Sequence, residues 1–154
     1  MIIRKGNLND LTEMKRLFTD SITSVCKDDY NSSQINAWKS GAENEERWLL
    51  IMETQLVIIA SIHGQIVGFC TLETGNYIDL LFVHKDFQRQ GIALKMYIFM
   101  EQEATIRKEK ILTADVSKTA RPFFEKMGFR IITEQTINVK GVHLINYKME
   151  KKLN

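Results

Sequence analysis

One stretch, Asn76 to Leu94 (NYIDLLFVHKDFQRQGIAL), restricts the fold more than any other. Its first half reads as a strand: Tyr77, Ile78, Leu80, Leu81, Phe82 and Val83 are aromatic, β-branched or aliphatic, and Asp79 is the one charge among them. Its second half opens a helix, since Gly91 starts a breaker-free run with apolar residues at Ile92, Met96, Phe99 and Met100. His84 to Gln90 form a short polar turn between the two. A buried strand feeding a turn and then a helix brings unpaired amides and the positive end of the helix dipole to one spot. That spot is an anion site. Gly91, with no side chain, leaves the backbone open to close approach there.

The rest of the chain supplies elements on both sides of this unit. Ile2-Ile3-Arg4 reads as a first strand, and Asn9 as the N-cap of a helix with Leu11, Met14, Leu17, Phe18, Ile22 and Val25 on one face. A second helix is expected from Asn31-Ser32-Ser33, carrying Ile35 and Trp38 and ending at Gly41. Asn44 to Met52 fits a short helix with Trp48 on its buried side. Gln55–Ile62 and Gln65–Leu72 read as a hairpin turned by His63-Gly64, and Gly75-Asn76 turns the chain into the central strand. After the helix, Lys110 to Val116 is a fifth strand and Ser117 to Met127 a helix with Pro122 in its early part, stopped by Gly128. Phe129–Asn138 and Val142–Glu150 form a last antiparallel pair.

Composition excludes more than it selects. Residues 1–154 make a single domain by size, and a formal net charge of +2 is too small to argue for nucleic acid or a membrane surface. The charged tracts Arg107–Lys110 and Lys148–Lys152 mix signs and read as solvated faces. Cys26 and Cys70 fit reduced thiols, no apolar leader follows Met1, and Leu56–Ile62 is too short to span a bilayer, so a cytoplasmic domain is expected. His63, His84 and His143 lack metal-ligand spacing, and no metal is expected. Neither a phosphate-binding G-x-x-x-x-G-K-[ST] loop nor a G-x-S-x-G elbow occurs.

Gln88-Arg89-Gln90-Gly91-Ile92-Ala93 resembles the Q/R-x-x-G-x-G/A signature of the GNAT superfamily of acyl-CoA-dependent N-acyltransferases. Leu81-Phe82-Val83 precedes it at the family's spacing, and Ala120-Arg-Pro-Phe-Phe-Glu-Lys-Met-Gly-Phe129 is similar to the family's closing helix and strand. Asp29-Tyr30, Gln34-Ile35 and Ala37-Trp38 also resemble the YafP-like subgroup of small bacterial acetyltransferases. The resemblance implies an α+β fold, an α/β/α sandwich whose mixed, mostly antiparallel seven-stranded sheet has helices on both faces.

It also implies where acetyl-CoA would lie. The central strand and the fifth strand would splay apart, the pantetheine arm pairing with main-chain groups of Leu81 and Val83. Amides from Arg89 to Leu94, within the Gln88–Ala93 motif that includes Gln90, would hold the pyrophosphate. Ser117 falls where relatives often carry an asparagine that bonds the pantetheine arm; the plainer reading is a helix cap. Phe124 stands where many relatives have a tyrosine that protonates the departing thiolate. Phenylalanine cannot do so, but a thiol of pKa ~8.5 gains only about 2 kcal/mol from protonation at pH 7, which water can supply.

The resemblance implies transfer of an acetyl group to a primary amine by direct attack on the thioester. A main-chain N–H near Leu81 or Phe82 would stabilise the oxyanion, worth ~3–4 kcal/mol. Deprotonating an amine of pKa ~10.4 at pH 7 costs roughly 4–5 kcal/mol, so a base is useful. Asp79 and Tyr77, two apart on the central strand, are the candidates. For Asp79 a plain strand-edge charge paired with an arginine is the equal alternative, and Tyr77 also reads as a pocket wall. Tyr30 and Trp38 are candidates for lining the acceptor site, with helix packing the alternative for Trp38. The rival function is a catalytically silent acyl-CoA-binding or interaction module, favoured by Phe124. A longer acyl donor fits equally, and an apolar face on the last strand permits a homodimer.

Overall fold

The computed structural model describes residues 1–154. Seven strands form one sheet, β1 (Ile2–Lys5), β2 (Leu56–Ile62), β3 (Gln65–Glu73), β4 (Tyr77–Val83), β5 (Ile111–Ser117), β6 (Arg130–Val139) and β7 (Val142–Lys152). Their spatial order is β1-β2-β3-β4-β5-β7-β6. Only β4 and β5 run parallel; every other neighbouring pair is antiparallel. This is the mixed sheet expected.

Helices α1 (Leu11–Val25), α2 (Ser32–Lys39) and α3 (Glu45–Thr54) cover one face, and α4 (Ile92–Ile106) and α5 (Arg121–Lys126) cover the other. Each face has its own core, of 16 and 17 buried residues respectively, so neither layer is a mere cover. Trp48 and Phe69 anchor the first, Met96 and Leu112 the second. Met96 reaches the sheet over Gly68, where an added Cβ would come within 2.9 Å of the Met96 methyl. Glycine there lets α4 lie close to β3.

Local signals set the helix starts. Asn31 and Gln34 form a reciprocal capping box at α2, and the Asn44 side chain accepts the Arg47 amide at α3. At α1 the cap is Asn7, not Asn9: the Asn7 side chain accepts from the Asn9 amide and opens a short helical turn that runs into α1. Asp10 completes that box and takes a two-pronged bond from Arg4 on β1, which holds its carboxyl below the usual range. On α4 the buried face is Ile92, Met96, Tyr97, Met100 and Ala104, while Phe99 is exposed. The expected Ser117–Met127 helix is only Arg121–Lys126. Ser117 instead ends β5, and its hydroxyl accepts the Ala120 amide at 3.0 Å, capping the turn between them.

Candidate active site

The turn after β4 is built by its own side chains. Gln88 Nε2 donates to the carbonyls of Val83 (2.8 Å) and His84 (3.3 Å), closing the loop on itself. Arg89 and Gly91 both take left-handed backbone angles, φ +59° and +77°. The first bond of α4 runs from the Lys95 amide to the Gly91 carbonyl, 3.1 Å, so the amides of Ile92, Ala93 and Leu94 have no intrahelical acceptor. A Cβ on Gly91 would meet nothing within 4 Å. The requirement for glycine is therefore the positive φ and the open approach, not crowding within the protein.

Beside this turn the sheet opens. β4 and β5 pair only at Tyr77↔Thr113 and Ile78↔Ala114, with the Thr113 amide donating to the Asn76 carbonyl at 2.8 Å. From there to Val83 and Ser117 the two strands have no partner residues in common. A bulge on β4 marks the start of the opening: Leu72 faces Ile78 but Thr71 faces Leu80, so Asp79 is the extra residue. The buried Thr71 hydroxyl accepts the Leu80 amide at 3.1 Å and pins the bulge. The bulge also changes which face each later side chain meets: Ile78 packs into the α4 core and Leu80 into the α1–α3 core. Asp79 turns to Arg47 and Gln55 on the α1–α3 side, the side on which Tyr77 meets Asp115.

The opening is a cleft of about 1290 Å³ that runs from the amide turn through the strand gap to the α1–α2 side. Leu81, Phe82, Val83, Gln88, Arg89, Gly91, Ile92, Ala93, Leu94, Ser117 and Phe124 all line it, as do Tyr77, Asp79, Tyr30 and Trp38. Gln90, though within the motif, does not.

Three polar groups meet at the vertex where β4 and β5 part. Asp79 accepts from Arg47 Nη2 with both oxygens, at 3.0 and 3.3 Å, and from Gln55 Nε2 at 2.8 Å. Its side chain is 8% exposed. The arginine-paired alternative is thus the geometry present, and few lone pairs remain for an incoming proton. Gln55 Oε1 is buried without a partner. Tyr77 donates to Asp115 Oδ2 at 2.8 Å; burial, then the Asp115 bond, raise its phenol well above the ordinary range, so it stays protonated. Asp115 Oδ1 takes Gln135 Nε2 at 2.9 Å, and that nitrogen also reaches Asn146 Oδ1 at 3.0 Å. The sequence reading missed Arg47, Asp115, Gln135 and Asn146. Alternation of Thr113, Asp115 and Ser117 with Leu112, Ala114 and Val116 was the available signal for Asp115.

Tyr30 is buried, and its hydroxyl donates to the Ile145 carbonyl (2.7 Å) while accepting the Lys118 amide (2.9 Å). Burial pushes it up to about 12. It ties the α1–α2 connection to β5 and β7, and only its ring is free to act as a wall. Trp38 stacks edge-on against Tyr30, 5.4 Å between centroids, and borders Phe82. Phe124 is 3% exposed and packs on Phe129 and Phe123.

A strand-gap cleft ending on a bare helix start is one observation; sequence comparison is the second. The family model described as an acetyltransferase (GNAT) domain matches residues 26–151. The chain belongs to the GNAT acetyltransferase family. Among GNAT relatives, an uncharacterized N-acetyltransferase, YafP, of Escherichia coli K12 is 32% identical over 150 residues, 97% of this chain and 95% of the relative. The GCN5-related N-acetyltransferase structure from Rhodopseudomonas palustris superimposes with a TM-score of 0.95 at 32% identity, covering 99% of this chain and 95% of that one. PaiA N-acetyltransferase from Thermoplasma acidophilum, solved in complex with coenzyme A, shares the fold at a TM-score of 0.80 and 18% identity, covering 99% and 98%.

Proposed function

We propose that this N-acetyltransferase moves the acetyl group of acetyl-CoA onto a primary amine by direct attack on the thioester, without an acyl-enzyme intermediate. The observation that carries the reading is the opened β4–β5 seam, which runs straight onto three unpaired amides at the start of α4. PaiA, with the same fold, holds coenzyme A. Here the amides of Ile92 to Leu94 and the α4 dipole would take the pyrophosphate, and the free edge of β4 at Leu81 and Val83 would pair with the pantetheine amides.

At the vertex a β4 amide beyond the bulge would meet the thioester carbonyl. The Leu80–Thr71 bond already fixes the backbone there, so a following amide would need no reorganisation as charge develops. Tyr77 is a donor to Asp115, and Asp79 is taken up by Arg47 and Gln55, so the amine's proton leaves through water in the open cleft. Phe124 offers no proton to the thiolate; leaving unprotonated forgoes at most about 2 kcal/mol at pH 7, and water then supplies the proton. Phe124 also keeps alive a second reading, a silent CoA-binding module. No helix is long and apolar enough to cross a membrane.

One experiment separates the two readings. Thiol release from acetyl-CoA is followed against a panel of primary amines, beside CoA binding by calorimetry. Release with at least one amine supports transfer. Tight CoA binding with no release on any amine leaves the silent module, and no CoA binding removes both.

A further inference from the structure

Charge at the vertex is unevenly balanced. Asp79 has its cation, since Arg47 donates to both of its oxygens. Asp115, at the neighbouring position on the other side of the gap, has none. Its two oxygens are held by neutral donors, the Tyr77 hydroxyl and the Gln135 amide, which fix its direction without cancelling its charge. Lys148 stands opposite it in the β5–β7 register but makes no ion pair with it. The residue is exposed and lines the cleft, on the α1–α3 side, because Leu112, Ala114 and Val116 take the α4 side. It lies one residue beyond Ala114, the last β5 residue paired with β4, and so at the vertex itself.

Much of the remaining surface on that side is apolar. Trp38, Phe82, Ile137, Val139 and Leu144 line the same cleft, beside Arg47, Ser21 and Asn146. An anion at the reacting end of an aromatic and aliphatic wall is complementary to a cation carried on an apolar body. A carboxylate next to the reacting nitrogen would face Asp115 instead, like charge against like charge.

We propose that Asp115 anchors the ammonium of the acceptor, and that the acceptor is a primary amine on an apolar body with no carboxylate on the amine-bearing carbon. This rests on the transferase reading of the cleft and names its substrate class. An amine that arrives charged is drawn to the vertex, gives its proton to water there, and meets the thioester as the free base. Asp115 is then a binding residue whose removal weakens acceptor capture without touching CoA.

The test uses a matched pair that differs only by the carboxylate, 2-phenylethylamine and phenylalanine, with the full-length protein. Wild type should favour 2-phenylethylamine by at least about tenfold in kcat/KM. Asp115→Asn keeps the size and an acceptor oxygen, and should raise the KM for 2-phenylethylamine by about 10–100-fold and shrink the preference, with CoA affinity and melting temperature unchanged. Tyr77→Phe, which frees the carboxylate without removing its charge, should act in the same direction more weakly. Calorimetric binding of 2-phenylethylamine to the CoA-loaded protein reads the anchor without turnover. Binding lost in Asp115→Asn supports the anchor even where no acetyl moves, in which case only the transferase reading fails. A preference for phenylalanine, an Asp115→Asn KM equal to wild type, or no binding of the amine to wild type overturns the proposal. The first of these outcomes would move the anchor to Arg47, whose Nη1 and Nε make no bond within the protein.

Discussion

Strand β5 has two neighbours and treats them differently. Against β7 it pairs at every residue from Ile111 to Ser117; against β4 it pairs at Tyr77 and Ile78 alone. The closed seam is antiparallel and the open one parallel, and parallel pairing is slightly weaker per residue. β4 also carries the bulge at Asp79 in its ladder with β3, and a bulge bends its strand by added twist. The cleft lies where the sheet fails to close, and the closed seam supplies the rigidity that holds the opening in shape.

Truncation on the closed side should have the largest effect. Leu112 is fully buried on β5, and Leu112→Ala should lower stability by about 2–5 kcal/mol in urea denaturation. The same change at Leu81, half-buried beside the open seam, should cost under about half as much. Equal costs would mean that the two seams are packed alike.

Next comes the pin of the bulge. Thr71→Val keeps the shape but leaves the buried Leu80 amide without its acceptor, a loss of about 1–3 kcal/mol in stability. Turnover should fall as well, by up to about a hundredfold, since the β4 amides proposed to face the thioester would lose their placement. A destabilised variant with normal turnover would separate the bulge from the chemistry.

Gly91→Glu puts bulk and negative charge on the amide turn and should weaken CoA binding by at least about tenfold, or about 1.4 kcal/mol. The φ of +77° adds a backbone penalty of about 1–2 kcal/mol for any side chain. Gly91→Ala carries that penalty without the charge, so calorimetry on both variants divides strain from repulsion. The smallest effect is expected at Phe124→Tyr, which restores a hydroxyl at the cleft wall. Turnover should stay within a few-fold; a loss of several hundredfold would place the leaving thiol elsewhere.

Much of this was written locally. The β4–turn–α4 unit follows from an apolar run, a polar turn and a breaker-free helix, and each of these acts over a few residues. Asn31 marked the start of α2, because a cap bonds an amide two or three positions away; Asn44 plays the same part at α3, where the sequence showed only a short helical stretch. The Asn7 and Asn9 choice failed on that same scale, two candidate caps lying within one turn. The α5 boundary failed because Ser117 caps a turn and not a helix, and both uses employ the same hydroxyl.

What tertiary structure alone decided is which polar groups find one another at the vertex. Arg47 reaches Asp79 from 32 residues away, Tyr77 reaches Asp115 from 38, and the Tyr30 hydroxyl bridges to Ile145 across 115. No periodicity spans such distances, so the sequence marks Asp79 as unusual without saying whether it is free or paired. The bulge is of the same kind: β4 reads as one apolar run broken by a single charge until its register against Thr71 and Leu72 is known. Local propensity fixed the elements; packing chose the pairings, and the pairings set the charge left at the site.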